Sequence, residues 1–79
     1  MYYCYVVRCA DGSLYAGVTT DLERRVKEHN EGKGARYTAS RRPVRLAWSE
    51  PHPDRSSAQS REAAIKRMSR SQKETLLGT

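Results

Sequence analysis

The chain has 79 residues, enough for one small domain with a thin core, and residues 1–79 are therefore predicted to form a single domain. The 15 Lys and Arg residues against 9 Asp and Glu give a formal net charge of +6, which favours a polyanionic partner, chiefly nucleic acid. No apolar run approaches the roughly 18 residues of a membrane span and the N-terminus lacks the layout of a signal peptide, so we expect a cytoplasmic protein.

The beginning of the chain is predicted to be an antiparallel hairpin. Residues 2–9 are rich in aromatic and β-branched side chains, which favours a strand. Asp11 and Gly12 form a strong turn signal, because glycine accepts the positive φ of a tight turn. Residues 14–18 then form the returning strand.

A helix is predicted to begin at Thr20, because Glu23 stands three residues later and completes a capping box. At 100° per residue, Leu22 and Val26 lie on one side and give the helix a narrow apolar stripe. The remaining side chains point mostly outward. The helix is therefore expected to pack one thin face against the hairpin.

Two polar side chains lie on the edge of that stripe. Arg25 and His29 are four residues apart, so they lie one turn apart on the same side of the helix. Gly32 and Gly34 are predicted to end the helix, since glycine tolerates the left-handed backbone of a helix terminus.

The middle of the chain is predicted to hold a loop and a third strand. Residues 32–42 are basic and contain glycine, which indicates a loop. Residues 44–49 alternate between apolar and polar side chains, which indicates a strand. Pro51 and Pro53 are expected to end that strand.

The last third of the chain is predicted to be helical. One helix starts at Ser56 or Ser57, and a short final helix starts at a capping box formed by Ser71 and Glu74. The predicted class is α/β (α+β). The architecture is a small three-stranded antiparallel sheet flanked by helices, in the order β-β-α-β-α-α.

The cysteines predict neither a disulfide nor a zinc site. Cys4 and Cys9 are predicted to lie on one strand roughly 16 Å apart, with side chains on opposite faces. A disulfide requires α-carbons within about 7 Å. The cysteines and histidines also lack the spacing of zinc ligands. Both cysteines are expected to be small core residues.

Several polar side chains are candidates for chemistry, although each has an ordinary structural interpretation. A tyrosine in a strand usually packs with its hydroxyl at the rim, and a polar pair can simply mark a helix edge. Glu62 can form a weak surface ion pair with Lys66 one turn away. The candidates are Tyr5, Tyr15, Arg25, His29 and Glu62.

Together these residues resemble the motifs of the GIY-YIG nucleases. Tyr3-Cys4-Tyr5 occupies the position of the first motif and Tyr15-Ala16-Gly17 that of the second. Arg25 follows ten residues after the second tyrosine, and His29 follows four residues after that. Glu62 matches the acidic residue of a later helix. The resemblance covers almost the whole chain and is closest to the small stand-alone bacterial members of the family.

The resemblance implies a metal-dependent endonuclease that hydrolyses phosphodiester bonds in nucleic acid, with DNA favoured over RNA. Tyr5 would be the general base, Tyr15 would position the water or the phosphate, and His29 would orient or assist. Cleavage requires an activated water, stabilisation of negative charge and help for the leaving oxygen. We expect nearby positive charge to lower the pKa of the Tyr5 phenol, since an ordinary phenol is a poor base.

The resemblance also implies the groups that meet the phosphate and the metal. Arg25 offers a planar fork of N–H donors to phosphate oxygens. Glu62 would hold Mg²⁺, or Mn²⁺, because one carboxylate with several waters is a common way of holding Mg²⁺. The predicted nucleic-acid-binding residues are Lys33, Arg36, Tyr37, Arg41, Arg42, Arg45 and Lys66.

Two other functions fit the composition. The first is a non-catalytic nucleic-acid-binding module that keeps the basic loop and stacks Tyr37 on bases. The second is a protein-interaction module whose charge serves only solubility. Metal binding distinguishes the enzyme from the first alternative, and salt-insensitive behaviour towards nucleic acid would favour the second.

Overall fold

The computed structural model of the protein describes residues 1–78. Its elements in chain order are β1 Tyr2–Arg8, β2 Leu14–Thr19, α1 Leu22–Asn30, α2 Arg36–Ala39, β3 Arg45–His52, α3 Arg55–Lys66 and α4 Arg70–Leu76. The predicted α+β class and β-β-α-β-α-α order are confirmed, with the short α2 as an addition. Within residues 1–78, no helix is long and apolar enough to cross a membrane.

β1 is the central strand of an antiparallel sheet with the strand order β2-β1-β3. Tyr5 in the middle of β1 pairs with Gly17 of β2 and with Ser49 of β3. The turn between β1 and β2 contains Gly12 at φ +86°, a conformation that favours glycine. The predicted hairpin is therefore confirmed.

The two faces of the sheet carry separate buried clusters. The apolar face, covered by α3, is formed by Cys4, Val6, Ala16 and Ile65. The tyrosine face, against which Leu22 and Val26 of α1 pack, is formed by Tyr5, Val7, Cys9 and Val44. Alternation of side chains along β1 produces this division. Cys4 and Cys9 are free and are buried in different clusters; Cys4 lies in β1, whereas Cys9 lies one residue beyond the end of that strand.

The start of α1 differs by one residue from the prediction. Asp21, and not Thr20, caps the helix, because its carboxylate accepts a hydrogen bond from the backbone N–H of Arg24 at 3.0 Å. A carboxylate at this position also meets the positive end of the helix dipole. The predicted end is confirmed, since Gly32 has φ +81° and its N–H donates to the carbonyl of His29 at 3.1 Å.

The predicted end of the third strand and start of the following helix are both wrong. β3 continues through Pro51 to His52, because β3 is an edge strand with β1 as its neighbour and proline is tolerated at an edge. Asp54 caps α3 in place of Ser56 or Ser57. Its carboxylate accepts a hydrogen bond from the backbone N–H of Ser57 at 2.7 Å.

The capping box of α4 is formed by Ser69 and Gln72, so the predicted box at Ser71 and Glu74 is wrong. The Ser69 hydroxyl accepts from the backbone N–H of Gln72 at 3.2 Å, and the Gln72 side chain accepts from the backbone N–H of Ser69 at 2.9 Å. Glu74 is engaged elsewhere, since its carboxylate lies 2.6 Å from the guanidinium of Arg8 on β1.

The prediction of a loop for residues 32–42 is only partly right, because α2 forms inside it. Thr38 of α2 is fully buried although the surrounding sequence is polar and basic. Its hydroxyl is hydrogen-bonded to the buried His29 of α1. This long-range contact orders a segment that local sequence marks only as irregular and charged.

Candidate active site

An open cleft of about 370 Å³ lies where β2 faces α1 and α3. The catalytic candidates that line it are Tyr5, Tyr15, Arg25 and Glu62. The fifth candidate, His29, is fully buried and contacts the Tyr5 hydroxyl. The fold therefore brings together side chains from two strands and two helices that are far apart in the sequence.

Tyr5 owes its position to the glycine across the sheet. Its side chain is only 1% exposed, and its ring lies over Gly17, which pairs with it on β2. A β-carbon at Gly17 would overlap the phenol oxygen and the adjoining ring carbons. The glycine of the second motif thus makes room for the tyrosine of the first.

His29 is held from both sides of its ring. Its Nε2 lies 2.8 Å from the Tyr5 hydroxyl, and its Nδ1 lies 2.7 Å from the Thr38 hydroxyl. Gly34 brings the backbone so near that a β-carbon there would overlap the imidazole. Buried polar groups need such partners, because an unpaired donor or acceptor away from water is costly.

The two central groups have pKa values shifted in opposite directions. Burial lowers the pKa of His29 below its ordinary 6.5, and the nearby Arg25 guanidinium lowers it further, so the ring is neutral at pH 7. Burial also raises the pKa of Tyr5 above its ordinary 10.0, and the hydrogen bond from Arg25 offsets only part of that rise. The positive charge of Arg25 acts in the expected direction, but lost solvation is the larger effect, so the net shift of the phenol pKa is upward.

Arg25 is fixed by three protein acceptors. Its Nε donates to the Tyr5 hydroxyl at 3.3 Å, one terminal nitrogen donates to the carbonyl of Gly34 at 2.9 Å, and the other donates to Glu28 at 3.2 Å. A guanidinium has five N–H donors, so this anchoring leaves donors for a bound anion. The side chain is pre-oriented at the cleft and retains capacity for a phosphate.

Tyr15 is packed on several sides. Its ring meets the edge of His29 at a centroid distance of 5.6 Å and stacks with Tyr37 at 5.7 Å. The ammonium of Lys66 lies 5.4 Å from the centre of the Tyr15 ring. The ring is therefore fixed by three elements while it lines the cleft.

Two carboxylates line the cleft, and each is paired with cationic side chains. Glu28 is bound by Arg25 at 3.2 Å and more loosely by Arg24 at 3.8 Å. Among residues 1–78, Glu62 on α3 is paired with Lys66 alone, at 3.1 Å, and its side chain is 23% exposed. Residues 1–78 contain no group of three or more His, Cys, Asp or Glu that could surround a metal. A single carboxylate fits Mg²⁺, which usually keeps several waters, and does not fit a fully protein-ligated zinc.

The predicted nucleic-acid-binding side chains do not form one surface with the cleft. Lys33 and Arg36 are exposed. Arg41 lies 3.2 Å from Asp11 and 4.0 Å from the centre of the Tyr37 ring, so its charge is partly neutralised and it covers that ring. A base could stack on this part of Tyr37 only after Arg41 has moved.

Arg42 and Arg45 face other parts of the surface. Arg42 lines a depression beside Asn30, and Arg45 lines another beside Arg8. None of the five catalytic candidates lines either depression. Lys66, in contrast, is at the cleft through its contacts with Glu62 and Tyr15.

Some residues at the site were missed in the sequence. Arg24, Arg55 and Gln59 line the cleft. Arg55 offered a signal, because a cation in the first turn of a helix opposes the helix dipole and suggests a role other than helix stability. Thr38 and Gly34 offered none, since only the folded chain brings them to His29.

The sequence matches a described family and several relatives. The family model of the GIY-YIG catalytic domain matches residues 1–75. A UPF0213 protein of Desulfotalea psychrophila is 54% identical over 77 residues, covering 96% of this chain and 70% of that protein. A UPF0213 protein of Halobacterium salinarum is 51% identical over 76 residues, covering 96% of this chain and 99% of that protein.

Two solution NMR structures are similar in fold. A UPF0213 protein from Bacillus halodurans superimposes with a TM-score of 0.63 at 44% identity, covering 99% of this chain and 84% of that one. A protein from E. faecalis superimposes with a TM-score of 0.65 at 51% identity, covering 98% of this chain and 82% of that one. Because the family match extends over nearly the whole chain, the protein belongs to the GIY-YIG family, whose catalytic domain is a nuclease domain.

Proposed function

We propose that the protein is a metal-dependent endonuclease that hydrolyses phosphodiester bonds in DNA. The observation that carries this proposal is the convergence of Tyr5, Arg25 and Glu62 on one cleft. A base, a phosphate-binding fork and a carboxylate for a cation are the groups that phosphodiester hydrolysis requires. Membership of a nuclease family supports the same chemistry.

Tyr5 is the proposed general base. Tyr5 lines the cleft, where the attacking water would bind, and its hydroxyl lies 2.8 Å from His29 Nε2. A phenol with a raised pKa does not ionise at neutral pH, so it can accept a proton from water only if its own proton moves on. The neutral His29 ring is the group within reach that takes that proton.

Arg25 and Tyr15 are the proposed phosphate-binding side chains. The spare N–H donors of Arg25 meet the negative charge that develops on the phosphate oxygens. Tyr15, which is locked between His29 and Tyr37, presents its hydroxyl to the water or the phosphate. Because these side chains are already oriented, little rearrangement is needed when the substrate binds.

Glu62 is the proposed metal-holding residue. A bound Mg²⁺ or Mn²⁺ supplies Lewis-acid stabilisation of the phosphate and of the leaving oxygen. Lys66 neutralises Glu62 in the free protein, at 3.1 Å. If Glu62 held the cation, Lys66, which lies beside Tyr15, would be free to pair with a phosphate.

The surface supports recognition of a nucleic acid backbone. Arg24 and Arg55 extend the positive charge around the cleft mouth. Lys33 and Arg36 are exposed on the segment that also carries Tyr37. These are phosphate-contacting residue types, which position a duplex without reading its bases, so we propose that the enzyme selects DNA structure and not a sequence.

The test is a cleavage screen over flapped, branched, nicked and single-stranded DNA and RNA with Mg²⁺ or Mn²⁺. Glu62→Gln should abolish cleavage, whereas the matched control Glu23→Gln, on the exposed side of α1, should cleave normally. If the protein cleaved RNA but not DNA in the presence of the metal, RNA would replace DNA as the proposed substrate. Binding without cleavage of any substrate would contradict the enzyme and favour the non-catalytic module.

A further inference from the structure

A hydrogen-bonded chain of buried groups runs behind the cleft. Thr38 donates its hydroxyl hydrogen to the carbonyl of Ala35 at 3.1 Å, and the same oxygen lies 2.7 Å from His29 Nδ1. His29 Nε2 lies 2.8 Å from the hydroxyl of Tyr5, which accepts from Arg25 Nε at 3.3 Å. Thr38 and His29 are fully buried, so solvent does not offer alternative partners.

We infer that Thr38 is a positioning residue that fixes the tautomer of His29 and thereby makes Nε2 the acceptor of the Tyr5 proton. The assignment deepens the proposed endonuclease function and rests on it for its catalytic meaning. Nothing about residue type alone marks Thr38, since its hydroxyl gains this role only through the packing of α2 against α1.

The direction of each hydrogen bond follows from counting hydrogens. A threonine hydroxyl has one hydrogen, and Thr38 gives it to the carbonyl of Ala35. The Thr38 oxygen can therefore only accept from His29, which places the hydrogen of the neutral ring on Nδ1. The lone pair is then on Nε2, and the Tyr5 hydroxyl must donate to it.

The opposite arrangement satisfies fewer groups. If Thr38 donated to His29 Nδ1, the carbonyl of Ala35 would keep only the bond from the backbone N–H of Ala39 at 3.0 Å, and Nε2–H would donate to Tyr5. The phenol hydrogen would then have no acceptor among residues 1–78, because the other neighbour, Arg25, offers only donors. The geometry therefore favours one direction of proton movement, from Tyr5 to His29.

The proton balance of the proposed step follows directly. The attacking water gives a proton to the Tyr5 oxygen while the Tyr5 proton passes to His29 Nε2. The water oxygen forms the new P–O bond, and the electron pair of the old P–O bond leaves with the departing oxygen, which takes a proton from solvent. His29 holds both ring protons until Nε2 returns one to the Tyr5 oxygen, which releases its own proton to the solvent in the cleft. Nδ1–H remains bonded to Thr38 throughout.

The segment before α2 is shaped for this contact. A β-carbon at Gly34 would overlap His29, so the glycine allows the backbone to approach the ring. The carbonyl of Gly34 also accepts from Arg25 at 2.9 Å. The stretch from Gly34 to Thr38 therefore holds two groups of the proposed site. Thr38 contacts His29, and the carbonyl of Gly34 contacts Arg25.

The experiment reads the tautomer directly by ¹⁵N NMR of the imidazole rings, with His52→Gln assigning the two histidines of the chain. In the full-length wild type we expect hydrogen on Nδ1 and a bare Nε2. Thr38→Val, which removes the acceptor but keeps the shape, should populate the Nε2–H form, whereas Thr38→Ser should keep the wild-type pattern. Wild-type protein with hydrogen on Nε2 would overturn the inference even if Thr38→Val failed to fold.

Kinetics give the second readout. Thr38→Val should lower turnover by about 10- to 100-fold with unchanged KM, the range found for groups that orient a metal-ligating histidine, and Thr38→Ser should restore it. Thr75→Val is the matched control, because the Thr75 hydroxyl also bonds to a backbone carbonyl but lies on α4. Unchanged turnover in Thr38→Val would overturn the positioning role.

The two proposals fail in different ways. If wild type cleaves no substrate but shows hydrogen on Nδ1 that Thr38→Val redistributes, the endonuclease function fails and the tautomer assignment stands. If wild type cleaves and its His29 carries hydrogen on Nε2, the endonuclease function stands and the Thr38 inference fails.

Discussion

Cys4 and Tyr5 are neighbours on the central strand, and burial has opposite consequences for the reactivity of their side chains. Cys4 on the apolar face is fully buried, and burial raises its thiol pKa to about 11, which leaves it unreactive. Tyr5, the next residue, is buried on the tyrosine face, but its hydroxyl contacts His29 and Arg25. Burial alone makes a titratable group inert, whereas burial beside a neutral acceptor and a fixed donor prepares it for proton transfer.

Glu62 connects the two faces. It lies on α3, which covers the apolar face through Ile65, yet its carboxylate reaches the cleft that Tyr5 lines. The helix that covers the apolar face therefore carries the proposed metal-holding group, and the tyrosine face carries the proposed base next to the proposed phosphate-binding fork. Substitutions on each face should separate these contributions.

The largest effect is expected on the apolar face. Ile65→Ala should lower the free energy of unfolding by about 2–5 kcal/mol, because Ile65 is fully buried and the space it leaves cannot fully close. Urea unfolding measures this loss. The activity of the molecules that remain folded should change far less than their stability, and a selective loss of turnover in fully folded protein would contradict the division between the faces.

On the tyrosine face, Arg25→Lys should act on turnover and leave stability nearly unchanged. Lysine keeps the charge but loses the planar fork, and the proposed partner is charge that grows in the transition state. We expect turnover to fall by about 100- to 1,000-fold with little change in substrate binding. Arg67→Lys, at an exposed position after α3, is the control. A change confined to the dissociation constant would make Arg25 a simple phosphate clamp.

The pH dependence of stability provides a smaller effect. Because the folded pKa of His29 lies below 6.5, the unfolded chain takes up a proton near pH 6.5 that the folded chain excludes. This contribution is fully present above pH 6.5 and is lost as the pH falls from there through the lower folded pKa. Thermal melts should show that His29→Gln flattens this acid slope more than His52→Gln does, and equal slopes would contradict a neutral, buried His29.

The smallest effect is expected on the basic segment outside both faces. Lys33→Gln and Arg36→Gln should each make the plot of log binding constant against log salt concentration less steep. The slope should change by about 0.9 for every phosphate of duplex DNA that the wild-type side chain neutralises. Arg42 lines the depression beside Asn30, so Arg42→Gln should change the slope less. An equal reduction by all three would mean that the nucleic acid also contacts the depression that Arg42 lines.

Much of the fold and of the motif geometry was predictable from the sequence. Alternation along the first strand and the Asp11-Gly12 turn fix the hairpin, and the spacing of Arg25 and His29 places them on one helix side. These signals are local, because side chains return to the same face every two residues along a strand and every 3.6 residues along a helix.

The remaining features depended on long-range contacts. The capping box of α4 was misplaced because Glu74 pairs with Arg8, which is remote in sequence. The role of Thr38 was missed because its partner lies on another helix. The net rise in the phenol pKa of Tyr5 was not predicted, because the depth of burial that outweighs Arg25 is a property of the folded core.

The most direct test of the proposed mechanism is single-turnover cleavage by Tyr5→Phe, compared with Tyr3→Phe on the same strand. Phenylalanine keeps the ring over Gly17 and removes only the hydroxyl that contacts His29. We predict that Tyr5→Phe loses about 100- to 10,000-fold in rate, as expected for removal of a general base, while Tyr3→Phe stays near wild type. Cleavage by folded Tyr5→Phe at the wild-type rate would contradict the assignment of the base to the tyrosine face.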